Sequence, residues 1–265
     1  MRLSIKHTTH YHFEAPVDFG FQQIRMTPKT SQWQNVNFWT TQIKGGQKEL
    51  EFEDQHKNHV ELFSFERAIN DLKVICNGEV DIKDNAGIIG KHLDPTPIWL
   101  FESETPKTKI GTAVKELANK VKNKHGLEQL HELSQLIKYS ISYQHKPQTP
   151  ARTAENIIKD GFGVCQDHAH VFIATSRCLG YASRYVSGYL LLNDTEQQKA
   201  MHAWAEIHVN NLGWIGFDIS NGISPDDNYV RVATGLDYTE AAPITGTRVG
   251  GGNEILDVAI EVAQQ

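Results

Sequence analysis

Gly161-Phe162-Gly163-Val164-Cys165-Gln166-Asp167-His168-Ala169-His170 is followed by Met201-His202-Ala203-Trp204 and then by Gly213-Trp214-Ile215-Gly216-Phe217-Asp218. These stretches set a thiol, an imidazole and a carboxylate in order along the chain. That is the minimum set for nucleophilic catalysis by cysteine. A thiolate attacks, the imidazole activates it and later protonates the leaving group, and the carboxylate fixes the imidazole tautomer.

Residues 165–179 predict a helix. Ala169, Phe172, Ile173, Ser176 and Leu179 form its apolar stripe, and Gly180 stands where a helix-ending glycine belongs. Cys165 therefore opens the helix, where unpaired N–H groups and a partial positive charge favour thiolate over thiol and can hold an oxyanion. Strands are expected at 183–192, 203–209 and 214–219, with turns at 192–196 and 210–213. That arrangement puts His202 at the start of one strand and Asp218 at the end of its neighbour. Most lone intracellular cysteines are small buried hydrophobes, and Cys76 and Cys178 fit that description. With thirteen histidines in the chain, His202 gains weight only from its pairing with Cys165 and Asp218.

Cys165, Asp167, His168 and His170 also raise the question of a metal. Residues 165, 168 and 170 do not share one helical face, and no second Cys-x-x-Cys or His-x-x-x-His accompanies them. No metal and no cofactor are expected. Asp167 suits electrostatic support of the first helical turn. Arg184 reads either as a substrate ligand or as the anchor of a neighbouring carboxylate. Trp204 and Trp214 read equally as cleft walls or as core.

Upstream, the first hundred residues read as β-rich, with strands at 4–13, 36–43, 60–65 and 74–82. Lys44-Gly45-Gly46-Gln47 and Asn77-Gly78 supply turn chemistry between them. Short strands separated by turns predict a small β-sandwich over residues 1–100. Three prolines at 95–106 mark the boundary. Beyond it, Ile110, Val114, Leu117, Ala118 and Val121 recur at helical spacing, as do Leu130, Leu133, Leu136 and Ile137 in a second segment after Gly126. A third helix is expected at 151–159, capped by Thr153 and ended by Gly161. A last strand is read at 255–262. Helices followed by antiparallel strands make residues 101–265 an α+β unit.

A chain of 265 residues with 39% hydrophobic and 22% charged residues is ordinary for a globular protein. Its net charge of -6 argues against a nucleic-acid binder, which needs a basic surface to displace counterions. No secretory leader is read in the alternating residues 1–8, and no apolar run is long enough for a bilayer. Three cysteines in no disulfide spacing predict a reducing, cytoplasmic setting.

Gly163-Val164-Cys165-Gln166-Asp167, Arg184-Tyr185-Val186-Ser187-Gly188-Tyr189, His202-Ala203-Trp204-Ala205-Glu206 and Gly213-Trp214-Ile215-Gly216-Phe217-Asp218 together resemble the bacterial transglutaminase-like family. Residues 229–238 and 242–246 resemble its C-terminal segment, and the β-rich start resembles the N-terminal domain that precedes this core. The resemblance implies a papain-like core, with helices packed on an antiparallel sheet. It also implies Cys165 as nucleophile, His202 as base and acid, and Asp218 as the orienting carboxylate. His168 stands where the family usually has Phe, and Asp218-Ile219-Ser220 where it usually has Asp-Pro-Thr; neither change removes a catalytic group. The implied chemistry is acyl transfer from peptide or amide substrates through a thioester, to water in a peptidase or amidase and to an amine in a transamidase. The rival expectation is a catalytically silent protein that keeps the fold as a binding scaffold.

Overall fold

The structure is a computed structural model that describes residues 1–146, 152–192 and 195–265. It begins with strands β1 (Arg2–Ile24), β2 (Gln34–Lys44), β3 (Gly46–Glu53), β4 (His59–Phe65), β5 (Ile69–Ile82) and β6 (Ile88–Gly90). Helices α1 (Thr112–Lys120) and α2 (Gly126–Ser140), strand β7 (Ser142–Tyr143), helix α3 (Ala154–Asp160), strand β8 (Phe162–Gly163) and helix α4 (Cys165–Cys178) follow. The rest is β9 (Ser183–Leu190), β10 (Gln197–Gln198), β11 (His202–Val209), β12 (Gly213–Phe217), β13 (Tyr229–Gly235), α5 (Tyr238–Ala241), β14 (Ile244–Gly250) and β15 (Glu254–Gln264).

Strand β1 organises the first sheet. Leu3, Ile5, His7 and Thr9 are buried while Arg2 and Lys6 face solvent, the period-two pattern of a strand with one covered face. Its first half pairs with β5 on one side and β15 on the other. Its second half, beyond an irregular register around residues 13–17, pairs with β14 and β4. The hydrogen bonding thus makes one eight-stranded sheet where the sequence predicts the two sheets of a small sandwich.

Two local expectations change here. Asn77-Gly78 is not a turn but lies inside β5, where Gly78 pairs with Ile5 on one side and Trp39 on the other. A Cβ at Gly78 would stand 2.2 Å from the Trp39 ring, so this glycine serves a close approach rather than a reversal. Strand β3, with three Glu and one Lys and exposed along nearly its whole length, gives only a weak strand signal because its apolar alternation is limited to Leu50 and Phe52.

The second sheet has the order β13-β9-β11-β12-β6, every pair antiparallel. Helix α4 packs on it, with Ala169, Phe172 and Ile173 in one core with Tyr185, Ala203, Ala205 and Phe217. That core continues into Leu3, Ile5, Val80, Ile260 and Val262 of the first sheet. The two sheets also exchange strands relative to chain order. β6 comes from the first hundred residues yet edges the second sheet, and β14 and β15 follow the helices yet complete the first. Local periodicity predicts the strands themselves; it does not report their partners.

Helix α3 spans Ala154–Asp160; residue 151, the start expected for it, lies outside the described residues, as does part of the expected turn at 192–196. Thr153 caps α3 as expected, accepting from the Asn156 N–H while the Asn156 side chain returns a bond to the Thr153 N–H. Gly161 then adopts φ +69°, a left-handed conformation that ends α3 and turns the chain toward Cys165.

Candidate active site

The segment entering α4 is fixed before it reaches Cys165. β8 pairs in parallel with β7, so that Tyr143 lies opposite Gly163. The Val164 N–H donates to Asp167 Oδ2 at 2.9 Å, an N-terminal cap that also places negative charge against the helix dipole. The Arg152 guanidinium holds the same segment, donating to the Phe162 carbonyl at 2.7 Å, to Asp160 at 3.0 Å and to Asp167 at 3.4 Å. Cys165 follows as the first residue of α4 and is partly exposed.

His202 begins β11, and Asp218 directly follows β12, the strand paired with β11. His202 Nε2 and Asp218 Oδ2 are 2.6 Å apart. The Cys165 sulfur is the second group that acts on the imidazole; with Nε2 on Asp218, Nδ1 is the ring nitrogen left for it. Burial works against the charged imidazole, but Asp218 and the sulfur outweigh it and push His202 up to about 10. Burial likewise opposes the Asp218 carboxylate, yet His202, Ser220 and Tyr229 hold it down at about 2. The structure therefore brings together all three residues singled out in the sequence.

Asp218 is 0% exposed and its carboxylate is fully engaged. Oδ1 accepts from the Ser220 hydroxyl at 2.7 Å and the Asn221 N–H at 3.1 Å. Oδ2 accepts from Asn221 Nδ2 and from the Tyr229 hydroxyl, both at 2.7 Å, besides His202. A buried carboxylate is held ionised by such donors. Asp-Ile-Ser thus supplies a hydroxyl cap at Ser220, and Asn221 and Tyr229 complete the set.

Tyr143 is the group that sequence reasoning missed. It lines a cleft with Cys165, its hydroxyl close enough to interact with the Cys165 side chain and backbone. Burial first, and then the negative charge of the sulfur, push the phenol up to about 12, so it stays a donor at neutral pH. Only its strand-like setting next to Gly163 would have signalled it. His168 stacks on the Tyr143 ring, with centroids 6.1 Å apart. It keeps an aromatic surface where the family usually has Phe. Its ring nitrogens lie 2.9 Å from the Val164 carbonyl and 3.1 Å from the Ile141 carbonyl, which ties the residue before β7 to the start of α4.

The remaining candidates have other engagements. His170 is buried and accepts from the Tyr238 N–H at 3.2 Å. Trp204 packs with Val186, Leu190 and Tyr229, and Trp214 with Phe101 and Ala182, so both tryptophans belong to the interior. Arg184 anchors carboxylates, donating to Glu206 at 2.6 Å and to Asp94 at 2.7 Å. Arg231 donates to the same Glu206 at 2.7 and 3.0 Å. Cys76 is buried, which pushes its thiol up to about 12.

Cys165 and His202 face a cleft of about 790 Å³. Tyr143, Gln166, Ser187, Gln198, Lys199 and Asn221 are among its lining side chains, and no carboxylate is among the described ones.

The sequence of residues 114–219 matches the transglutaminase-like superfamily core, and residues 3–81 match the bacterial transglutaminase-like N-terminal region. The chain thus carries a transglutaminase-like core preceded by a bacterial transglutaminase-like N-terminal region. An uncharacterized protein of Mycobacterium leprae is 24% identical over 99% of both chains. One from Mycobacterium bovis is 30% identical over 51% of this chain and 47% of its own length, about half of each. The crystal structure of "a Putative Cysteine Protease from Cytophaga hutchinsonii" shares the fold with a TM-score of 0.79 at 19% identity, covering 99% of this chain and 90% of that one. Among the described residues, no helix is long and apolar enough to cross a membrane.

Proposed function

We propose that this transglutaminase-like chain is a cysteine-dependent acyl-transfer enzyme acting on peptide or amide bonds through a Cys165 thioester. The observation that carries the reading is the buried 2.6 Å contact of His202 with Asp218, on an imidazole whose other partner is the Cys165 sulfur. With its imidazole held charged by Asp218, His202 already carries the proton of the Cys165 thiol at Nδ1, and Cys165 rests as the thiolate. The thiolate then adds to the substrate carbonyl carbon, and the carbonyl oxygen becomes an oxyanion. The Cys165 N–H at the open end of α4 and the Tyr143 hydroxyl supply donors for that charge. As the C–N bond breaks, the imidazolium gives its proton to the leaving amine, and the acyl group remains on sulfur. Water or an amine then attacks the thioester, with His202 again taking the proton, and the thiolate departs.

The cleft suits such a substrate. Its amide and hydroxyl side chains match a peptide backbone, and Lys199, in a lining with no described carboxylate, favours a neutral or carboxylate-bearing chain over a cationic one.

Alkylation by iodoacetamide at pH 7 separates this reading from a silent scaffold. The expected result is labelling of Cys165 well above the rate of a free thiol, slowed in His202→Ala and absent in Cys165→Ala. Labelling no faster than free cysteine favours the scaffold. A panel of peptide and γ-glutamyl amides, with and without an added amine, then distinguishes hydrolysis from transamidation.

A further inference from the structure

A second, smaller pocket of about 50 Å³ lies away from the cleft, where the 29–34 segment of the first unit meets β13 and the loop before it. Its lining carries three cations, Lys29, Lys83 and Arg231, against one carboxylate, Asp226. Behind it, Arg184 and Arg231 share Glu206 and Arg184 also holds Asp94, and both Asp94 and Asp54 act on Lys29; the excess of positive charge lies in the lining itself, where Lys29, Lys83 and Arg231 meet Asp226 alone. Lys29 Nζ has the His56 carbonyl oxygen as its hydrogen-bond acceptor. Burial first, and then Arg231 and Arg184, drive its amine well below its ordinary range. Such an environment is relieved by an anion rather than by another donor.

Two neutral donors point to the same chemistry. Trp33 lines the pocket, and its Nε1–H is buried with no acceptor among the described residues. An indole nitrogen can only donate, and an orphaned buried donor is uncommon in a native interior. Ser31 already accepts with its oxygen from the Trp33 and Gln34 N–H groups at 3.2 and 3.1 Å, so its hydroxyl proton is free to be donated. An ammonium, an indole N–H and a hydroxyl around so small a volume form a cluster of donors in a lining with Asp226 as its one carboxylate.

We propose that this pocket binds a small monovalent anion of about chloride size. Its floor includes Trp204 and Tyr229, and these reach the other site from behind. Trp204 stacks on His202 at 6.3 Å between centroids, and the Tyr229 hydroxyl donates to Asp218. The anion would therefore stiffen the wall shared with the Cys165 cleft. The proposal does not depend on the acyl-transfer reading, because its test reads binding alone.

The test compares thermal unfolding of the whole chain in sodium chloride and in sodium gluconate at equal ionic strength, gluconate being too large to enter. For a site half-filled near about 10 mM, 100 mM chloride raises Tm by roughly 3–5 °C over gluconate. Lys29→Met, which keeps the stem and removes the charge, abolishes the difference, and it also removes the excess broadening of the chloride-35 resonance. Should Lys29→Met not fold, Trp33→Phe, which removes only the indole N–H, is read instead and reduces the difference. Equal Tm values in the two salts overturn the proposal. So does a chloride shift that survives in the variant.

Discussion

Replacing Glu206 by glutamine tests the electrostatics of the sheet that carries His202. Glu206 is 0% exposed and sits between Arg184 and Arg231, with three charge-assisted bonds of 2.6–3.0 Å. Burial raises its carboxyl, but the two guanidinium groups outweigh it and hold it at about 2, against an ordinary 4.5. That difference corresponds to about 3 kcal/mol of stability. Because the folded chain binds this proton less readily than the unfolded one, the contribution is complete above about pH 4.5. It falls as pH drops through the folded value, with about 2 kcal/mol gone by pH 3.

Glu206→Gln would leave two guanidinium groups buried with only Asp94 as counter-charge, a change that costs about 3–5 kcal/mol. For a chain of this size the expected fall in Tm is roughly 6–20 °C. Equilibrium urea unfolding of both proteins from pH 7 to pH 3 measures it. The gap between them should be widest at neutral pH and close by about 2 kcal/mol toward pH 3. A loss under about 1 kcal/mol at pH 7, or a gap independent of pH, refutes the reasoning.

Asp218→Asn removes the carboxylate that keeps the imidazole charged. It should bring the His202 NMR titration down from about 10 and lower turnover on an amide substrate by roughly 10³-fold or more. Tyr143→Phe deletes the hydroxyl beside Cys165 and should slow alkylation at pH 7 and cut kcat/KM by roughly 10-fold or more without changing Tm much; unchanged rates would remove Tyr143 from the site. Gly78→Ala drives a methyl to 2.2 Å from the Trp39 ring and should cost about 1–3 kcal/mol in urea unfolding.

The nucleophile helix, the two strands bearing His202 and Asp218, and the order of the three groups are legible because each is a local pattern. An apolar stripe, a period-two strand and a glycine stop all lie within a dozen residues of the group they place. Tyr143, Asn221 and Tyr229 are not legible in that way. A lone Tyr or Asn carries no periodicity, and their roles arise only where β7, β13 and the turn after β12 converge on Cys165 and Asp218. Asn77-Gly78 shows the complementary error, since a turn-forming dipeptide says nothing of the Trp39 ring that demands the missing Cβ. The partnership of β1 with β15 is the largest gap, because pairing across most of the chain leaves no local trace.

That partnership bears on how the chain is made. The first half of β1 is bounded by β15 on one side and β5 on the other, and Val262 and Ile260 fill the core beside Leu3 and Ile5. During synthesis, residues 2–13 emerge long before residues 254–264 and wait for them before one flank is closed. Until then an apolar strand edge stays open to any neighbour, the situation in which nascent chains misassociate. The first sheet therefore closes only after its last strand has been made, and the closing of β15 onto β1 should be slow compared with formation of the helices.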